Sequence, residues 1–484
     1  LEKNKLIDRY DFEKQVSLSI DAIKSLKKEK AYKTHLPNFP IHESIATSSK
    51  KNKGDFKVKF FVDGIFDYKY MRDFKKFGIN EKITFNNDGR ISCINANSTT
   101  KTSVTLSSPK VISITVDNFQ QLNDEDYNDK ILRLVVPTEL EAQFGVFTCK
   151  SIHISGCTTF CGLLEIVVNN KNYHLFKHKN DDTKESFLII DSLENNSFEE
   201  FKTNTSAILL AFGFVTGNLF QDDYYYQIIK EDNVTIAEAT AYYKNEPSII
   251  THASLFNPMD FRDYLKHFGQ EKALDKMSLQ LKPEVFSRMC ELIIENVTLA
   301  RSIKLILEGN QTKLLLLKAG IYSIALETIT GFISKENKEK LKPIPDKKLS
   351  DLMIDKFNKI LSEYEEFISD YGNDILKAKI ENINSPTNSK KLSKPFEILN
   401  LKLTKSELLV LNHRNKFLHG TSPFKETDLE NKENDIAYIS KKLLTLCNSL
   451  ILKYCGYSGH LTDYGGFHQL NWEDKVTEHL FKVI

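Results

Sequence analysis

The sequence predicts an α+β chain: a β-rich, sandwich- or barrel-like N-terminal domain followed by an all-α C-terminal bundle. Two observations predict it. Between residues 57 and 245, short β-branched and aromatic runs recur with turn clusters between them. Beyond Pro283, apolar residues change to a three-and-four spacing, the mark of helices with one buried face. A chain of 484 residues has room for about two to four such domains.

Taken in order, residues 1–56 supply an N-terminal helix and linker. Phe12, Val16, Ile20 and Ile23 form one stripe, and a Lys- and Ser-rich stretch follows. Residues 57–245 form the β-rich domain, read as regulatory or sensory, with strands over 57–62, 110–116, 131–137, 163–168 and 186–190. Asn87-Asp88-Gly89 and Asn169-Asn170 mark turns. Residues 207–217 read equally as a buried strand or a helix. Residues 246–283 connect to a helical domain over 284–484, with long helices expected at 284–309, 312–333, 349–371 and 434–455. The second of these is apolar nearly all round. A shorter helix opens at Thr404, where Glu407 three residues on completes a capping box.

Composition excludes some classes of protein. With 27% charged residues and a net charge of +1, there is no global attraction to nucleic acid, so any RNA binding must be local. Seven scattered cysteines argue for a reducing compartment. LEKNKLIDRY is charged where a secretion signal is apolar. The apolar stretch 207–220 is too short to span a bilayer, and 314–333 is interrupted by Lys318 and Glu327. The expectation is a cytoplasmic protein with no membrane partner. No phosphate-binding loop, dinucleotide fingerprint, serine elbow or HExxH is present, and no cofactor is expected.

The motif richest in chemistry is HRNKFLHG at 413–420. On a helix, Asn415 and His419 share a face and Arg414 lies about 100° round. Gly420 suits a helix stop. Arginine grips phosphate through a planar fork of donors, and histidine moves protons near neutral pH. Cleaving a phosphodiester by its own 2′-OH needs both abilities and no metal. One such pair per chain is thin provision for a base, an acid and a phosphorane clamp, which favours two chains meeting at this helix.

Arg414-Asn415, three residues and then His419-Gly420, late in a helical domain, resembles the signature of HEPN domains. The segments KPFEILNLKLTKSELLVLNHRN at 394–415 and NINSPTN at 382–388 resemble the ApeA-type HEPN proteins of prokaryotic phage defence. The resemblance covers roughly 284–460. It implies a metal-independent endoribonuclease working as a homodimer or higher homo-oligomer on RNA, with tRNA a candidate, in abortive infection. It implies Arg414 and His419 as the catalytic pair and Asn415 as the polar neighbour. Glu327 falls where many members carry an acidic residue. The β-rich half would then restrain the toxic activity until a phage-derived trigger or inhibitory partner acts. Two alternatives stay open: a HEPN module that binds RNA or a nucleotide without cutting or scaffolds a partner protein, and a carbohydrate- or ligand-binding sandwich with a helical dimerisation appendage.

Weaker signals remain. Cys149, His153, Cys157 and Cys161 form an evenly spaced series that could be read as zinc ligands. The flanking TCKSIHISGC reads as strand, so buried cysteines are favoured and no metal is expected. Lysines crowd 335–348 and 390–394, with acids interleaved in the first group, and read as a solvated surface before an RNA track. Tyr224, Tyr225 and Tyr226 could stack bases, although strand tyrosines more often pack. His460, His468 and Trp472 have no spacing that suggests chemistry.

Overall fold

The computed structural model describes residues 9–34, 44–50, 56–62, 82–87, 90–95, 102–105, 110–122, 124–140, 143–153, 159–179, 184–229, 237–267, 269, 281–418, 429–472 and 478–484. The chain divides into two compact units, Leu1–Ala253 with Gln280–Ile294, and Ser254–Leu279 with Glu295–Ile484. It is an α+β chain, antiparallel sheet first and helices after.

In the first unit, α1 (Arg9–Lys27) precedes the strands β1 (Lys30–Thr34), β2 (Ser44–Lys50), β3 (Phe56–Val62), β4 (Lys82–Asn87), β5 (Arg90–Asn95), β6 (Thr102–Thr105), β7 (Lys110–Val116) and β8 (Asn118–Gln120). Next come β9 (Ile131–Thr138), β10 (Lys150–His153), β11 (Thr159–Val168), β12 (Lys171–Lys179) and β13 (Ser186–Ser192). Helix α2 (Phe198–Thr216) then leads to β14 (Asn218–Leu219), β15 (Tyr224–Ile229), β16 (Ala237–Tyr243) and β17 (Ile249–Ile250). β14 pairs with β17. The other strands form one order, β10-β11-β12-β13-β9-β15-β16-β8-β5-β4-β1-β2-β3-β7-β6. This corrects the expected sandwich or barrel: among the described strands the order is single and open at both ends.

The reason lies in what covers the middle of the sheet. Consecutive residues of a strand face opposite ways. Tyr226 of β15 meets Phe198 and Phe201 of α2 edge-on, at 5.5 and 6.0 Å between centroids. Gln227, on the other face, donates to the Ser19 carbonyl of α1 at 2.9 Å. Two helices thus supply the layers that a second sheet would have supplied. Val16, Ile20 and Ile23 of α1 are buried as their stripe predicts, while the Phe12 side chain lies outside the described residues.

A polar row crosses the α1-facing side. Paired positions run Glu165, His174, Asp191, Arg133, Gln227 and Thr240 over six adjacent strands. Arg133 is only 2% exposed. Its Nε and Nη2 donate to Asp191 at 2.6 and 2.7 Å, and its Nη1 donates to Ser19 Oγ at 2.8 Å. Such a bidentate pair, closed by a hydroxyl, meets the demands of a buried cation.

The ambiguous segment 207–217 is helical, as part of α2. It ends at Gly217, whose φ of 75° is the left-handed cap that glycine adopts without strain. The tyrosine run reads against base stacking: Tyr225 and Tyr226 are buried on opposite faces of β15.

The expected boundary between a 246–283 connector and a 284–484 helical domain is also corrected. The helix foreseen over 284–309 is two, α3 (Pro283–Glu295) and α4 (Val297–Gln311), broken where Asn296 turns extended. α3 belongs to the β-rich unit. Phe286 meets Phe147 edge-on, and the Val167 N–H donates to Ser287 Oγ at 2.9 Å.

The second unit contains α4, α5 (Leu315–Glu336), α6 (Lys347–Glu363), α7 (Asp370–Glu381), α8 (Asn388–Ile398), α9 (Lys405–Leu418), α10 (Leu429–Tyr454) and α11 (Tyr464–Trp472). Strands β18 (His460–Thr462) and β19 (Phe481–Val483) pair beside them. Its core draws Ile303 from α4, Leu326 and Ile329 from α5, Val410 from α9, and Leu443 and Leu450 from α10. α5 is long and apolar enough to cross a membrane by length and composition, with mean hydropathy 1.3 and half of that window buried in the protein. The helix foreseen over 349–371 instead stops at Glu363, and α7 restarts behind the cap of Ser369. Most of its apolar stripe stays at the surface: Leu349, Leu352, Ile360, Tyr364, Phe367 and Tyr371 are exposed, while Leu361 is buried.

Candidate functional site

The motif helix α9 begins as its sequence dictates. The Thr404 N–H donates to Glu407 Oε2 at 2.8 Å, and the Glu407 N–H donates to Thr404 Oγ1 at 3.2 Å, closing the capping box. Glu407, Val410, Leu411, Arg414 and Phe417 then fall at helical spacing and are all buried. Arg414 therefore occupies a core position of its helix, with its side chain 4% exposed.

What meets it there is Glu327, from α5. Arg414 Nη1 donates to Glu327 Oε1, and the carboxylate keeps 44% exposure. The acidic residue chosen by resemblance and the arginine of the motif are thus brought together across 87 residues of chain. Arg414 Nε is buried and has no hydrogen-bond partner among the described residues. A guanidinium offers five donors, so capacity remains for a further acceptor. The two helices pass each other at Gly320, where an added Cβ would meet the Phe417 carbonyl oxygen at an ordinary contact distance of 3.8 Å.

Asn415 is helical, and its side chain lies outside the described residues, as do His419 and Gly420. The helix stop assigned to Gly420 and the proton chemistry assigned to His419 therefore have no described geometry. His413, at the start of the motif, is half-buried. Burial depresses its pKa, and Lys416 adds to the effect, so it stays neutral at physiological pH.

A second polar cluster supports the start of α9. Lys442 of α10 donates to both Asp463 oxygens at 3.0 and 2.8 Å and pairs with Glu478 Oε2 at 2.5 Å. Glu478 Oε1 accepts from Tyr438 and Ser406 at 2.6 and 3.0 Å, and Lys482 pairs with Glu407. Burial raises the Asp463 carboxyl, while Lys442 pulls it back. The cluster ties the last residues of the chain to α9 and α10. Its members sit on four separate segments, so no local spacing could have announced it.

Of the cysteine series, Cys149 precedes β10, His153 ends β10, and Cys161 lies on β11 opposite Ser151. Cys157 lies outside the described residues. Strand geometry does not stack the series, and among the described residues no group of three potential ligands is set for a metal. The lysines fall largely on helices, Lys347 and Lys348 opening α6 and Lys390, Lys391 and Lys394 on α8, and some pair locally, Lys342 with Glu339 and Lys394 with Glu397. The β-rich unit holds an open cleft of about 380 Å³ lined by Glu165, His174, Glu284, Arg288 and Glu291, with Tyr173 among them. Ile166, Val167, Leu193 and Pro283 line it as well, so charged and apolar groups are mixed there.

Comparison of the chain with protein-family models, with curated proteins and with solved structures returns no match.

Proposed function

We propose that this chain is a metal-independent endoribonuclease of the HEPN type, acting on RNA in phage defence. The observation that carries the reading is Arg414, fixed on the buried face of α9 by Glu327 with Nε still unpartnered. It stands in the motif Arg-Asn-x3-His-Gly.

In the reaction, a ribose 2′-oxygen attacks the adjacent phosphorus and its proton passes to a base. The P–O5′ bond breaks as the leaving oxygen gains a proton, giving a 2′,3′-cyclic phosphate and a 5′-hydroxyl. His419 of one chain and of a second copy take the base and acid roles, worth about 10²–10⁴-fold in rate. Arg414 steadies the charge that develops on the phosphorane. Asn415 orients the scissile group, and Glu327 is a positioning residue that holds the guanidinium. The site is therefore composite, built where two copies meet at α9. The β-rich half restrains the activity until a phage-derived cue arrives, which rests on analogy with defence proteins of this kind.

The test is incubation of purified protein with total RNA and tRNA in EDTA, beside Arg414→Ala, Arg414→Lys and His419→Ala, with the cut ends mapped. Cleavage that survives EDTA, needs both residues and leaves cyclic phosphates is expected. Ends carrying a plain 3′-hydroxyl, or equal cutting by all variants, overturn the reading. The pairing of Arg414 with Glu327 also favours a second reading, a module that holds RNA without cutting. Arg414→Ala would then weaken binding and leave no cleavage to lose.

A further inference from the structure

Lys318, Lys441 and His468 come from three elements of the helical unit, α5, α10 and α11. Lys441 Nζ lies 3.3 Å from His468 Nδ1, and His468 is 3% exposed. α5 and α10 pack side by side, with Cys447 Sγ on the Tyr322 carbonyl and the Phe332 ring edge-on to Tyr454, which brings Lys318 and Lys441 to about the same level. Burial lowers the Lys441 pKa and the Lys318 charge lowers it further. Burial also lowers Lys318. Among the described residues, no carboxylate pairs with either lysine. The contrast with the next residue is sharp: Lys442, about 100° further round α10, binds two carboxylates. Like charges held together without a counter-charge are unfavourable unless an anion joins them.

The place matters too. Gly320, two residues from Lys318, is where α5 approaches the Phe417 carbonyl. A two-residue step is about 3 Å along a helix, so Lys318 stands at the level of the bundle where α9 ends at Leu418. α5 also begins here, at Leu315, with no side-chain hydrogen bond from the capping position Leu314.

We propose that Lys318, Lys441 and His468 form a receptor for a phosphate group. Resting on the nuclease reading, that group is an RNA backbone phosphodiester held beside the scissile one. Two lysines supply the charge, and the imidazole orients Lys441 through its ring nitrogen. Lys441 and Lys318 are binding residues in this scheme and His468 is a positioning residue.

The test uses full-length protein and a labelled single-stranded RNA made non-cleavable by 2′-O-methyl groups, so binding is read whether or not the protein cuts. The variants are Lys318→Gln with Lys441→Gln, and Lys359→Gln, an exposed lysine of α6, as control. The double variant is expected to lose about tenfold in affinity near 0.1 M salt, and its salt slope to flatten by about 0.7, the figure for one phosphate charge no longer neutralised. The control should match wild type. In phosphate-free buffer the double variant should melt no lower than wild type, because a repulsion has been removed. Added inorganic phosphate should raise the wild-type melting point and not that of the double variant.

Unchanged RNA affinity with an unchanged phosphate response overturns the site. So does a lower melting point with unchanged affinity, which would make the lysines packing residues. Loss of the phosphate response with RNA affinity intact keeps the anion site and overturns RNA as its source, pointing to a free phosphate or mononucleotide. Cleavage by Arg414→Ala is scored separately, so failure of the nuclease reading does not imitate failure of this one.

Discussion

Replacing Glu327 by glutamine keeps the shape of the side chain and removes its charge. The consequence falls on Arg414, whose guanidinium is 4% exposed and has Glu327 as its ionic partner. Removing one member of a buried pair costs about 3–5 kcal/mol. The carboxylate is 44% exposed, so water has already screened part of the interaction, and the expected loss shrinks to about 1–3 kcal/mol. The loss should be local to the two helices that the pair joins. Hydrogen exchange followed by mass spectrometry, read over 315–336 and 405–418, is therefore the assay, with exchange accelerating roughly 5- to 150-fold there. A companion variant, Arg414→Met with Glu327→Leu, removes both charges and should recover to within about 1 kcal/mol of wild type. Exchange unchanged in both segments on Glu327→Gln would refute the reasoning, since the burial of Arg414 would then not depend on the carboxylate. Failure of the double variant to recover would show that packing around the pair, and not charge, sets the cost.

Two further outcomes are expected from the β-rich unit. At Gly217 an added Cβ would lie 2.7 Å from Ala253 N and 2.8 Å from the Thr251 oxygen, at a φ of 75°. Gly217→Ala should therefore lower stability by about 2 kcal/mol or more, whereas Gly331→Ala, in an open helical position, should be neutral or raise it by up to about 1 kcal/mol. Melting curves of the two variants that coincide would contradict this. Burial holds the His174 pKa below its ordinary value, with Asp191 and Glu165 opposing and Lys150 assisting. The neutral ring then contributes stability that is present above about pH 6.5 and is lost as the pH falls through the folded value, at up to about 1.4 kcal/mol per pH unit. Wild type should lose melting temperature faster than His174→Gln between about pH 6.5 and 5, and parallel curves would show that His174 carries no linkage.

The parts of the fold legible in the sequence were those fixed locally. The α1 stripe, the runs that became β3, β7, β9 and β13, and the Thr404–Glu407 capping box each depend on neighbours a few residues away. The misreadings share a different cause. The 349–371 pattern has faultless helical periodicity, yet periodicity reports only that a face is apolar and not what covers it, and Phe367 is 84% exposed. The 284–309 segment has unbroken apolar spacing, but its first half is held by Phe147 and Val167, residues far away in sequence. At the site, a motif located Arg414. The partner Glu327 was suggested by resemblance, because a contact across 87 residues leaves no trace in spacing. Lys318, Lys441 and His468 were invisible for the same reason, and His468 had been noted without a role.

The row centred on Arg133 has a consequence for how this chain can vary. Arg133 is joined at once to Asp191 on a neighbouring strand and to Ser19 on α1, and Gln227 binds the same turn of that helix. No single substitution at the ion pair leaves the rest content: losing the acid strands a cation, and losing the cation strands an acid and the Ser19 hydroxyl. Descendants of this sequence can drift freely along the apolar contacts of α1, yet at these four positions they must change together or hardly at all. The row acts as a lock on inheritance, and a lineage that has exchanged it for an apolar set should have done so in several places at once.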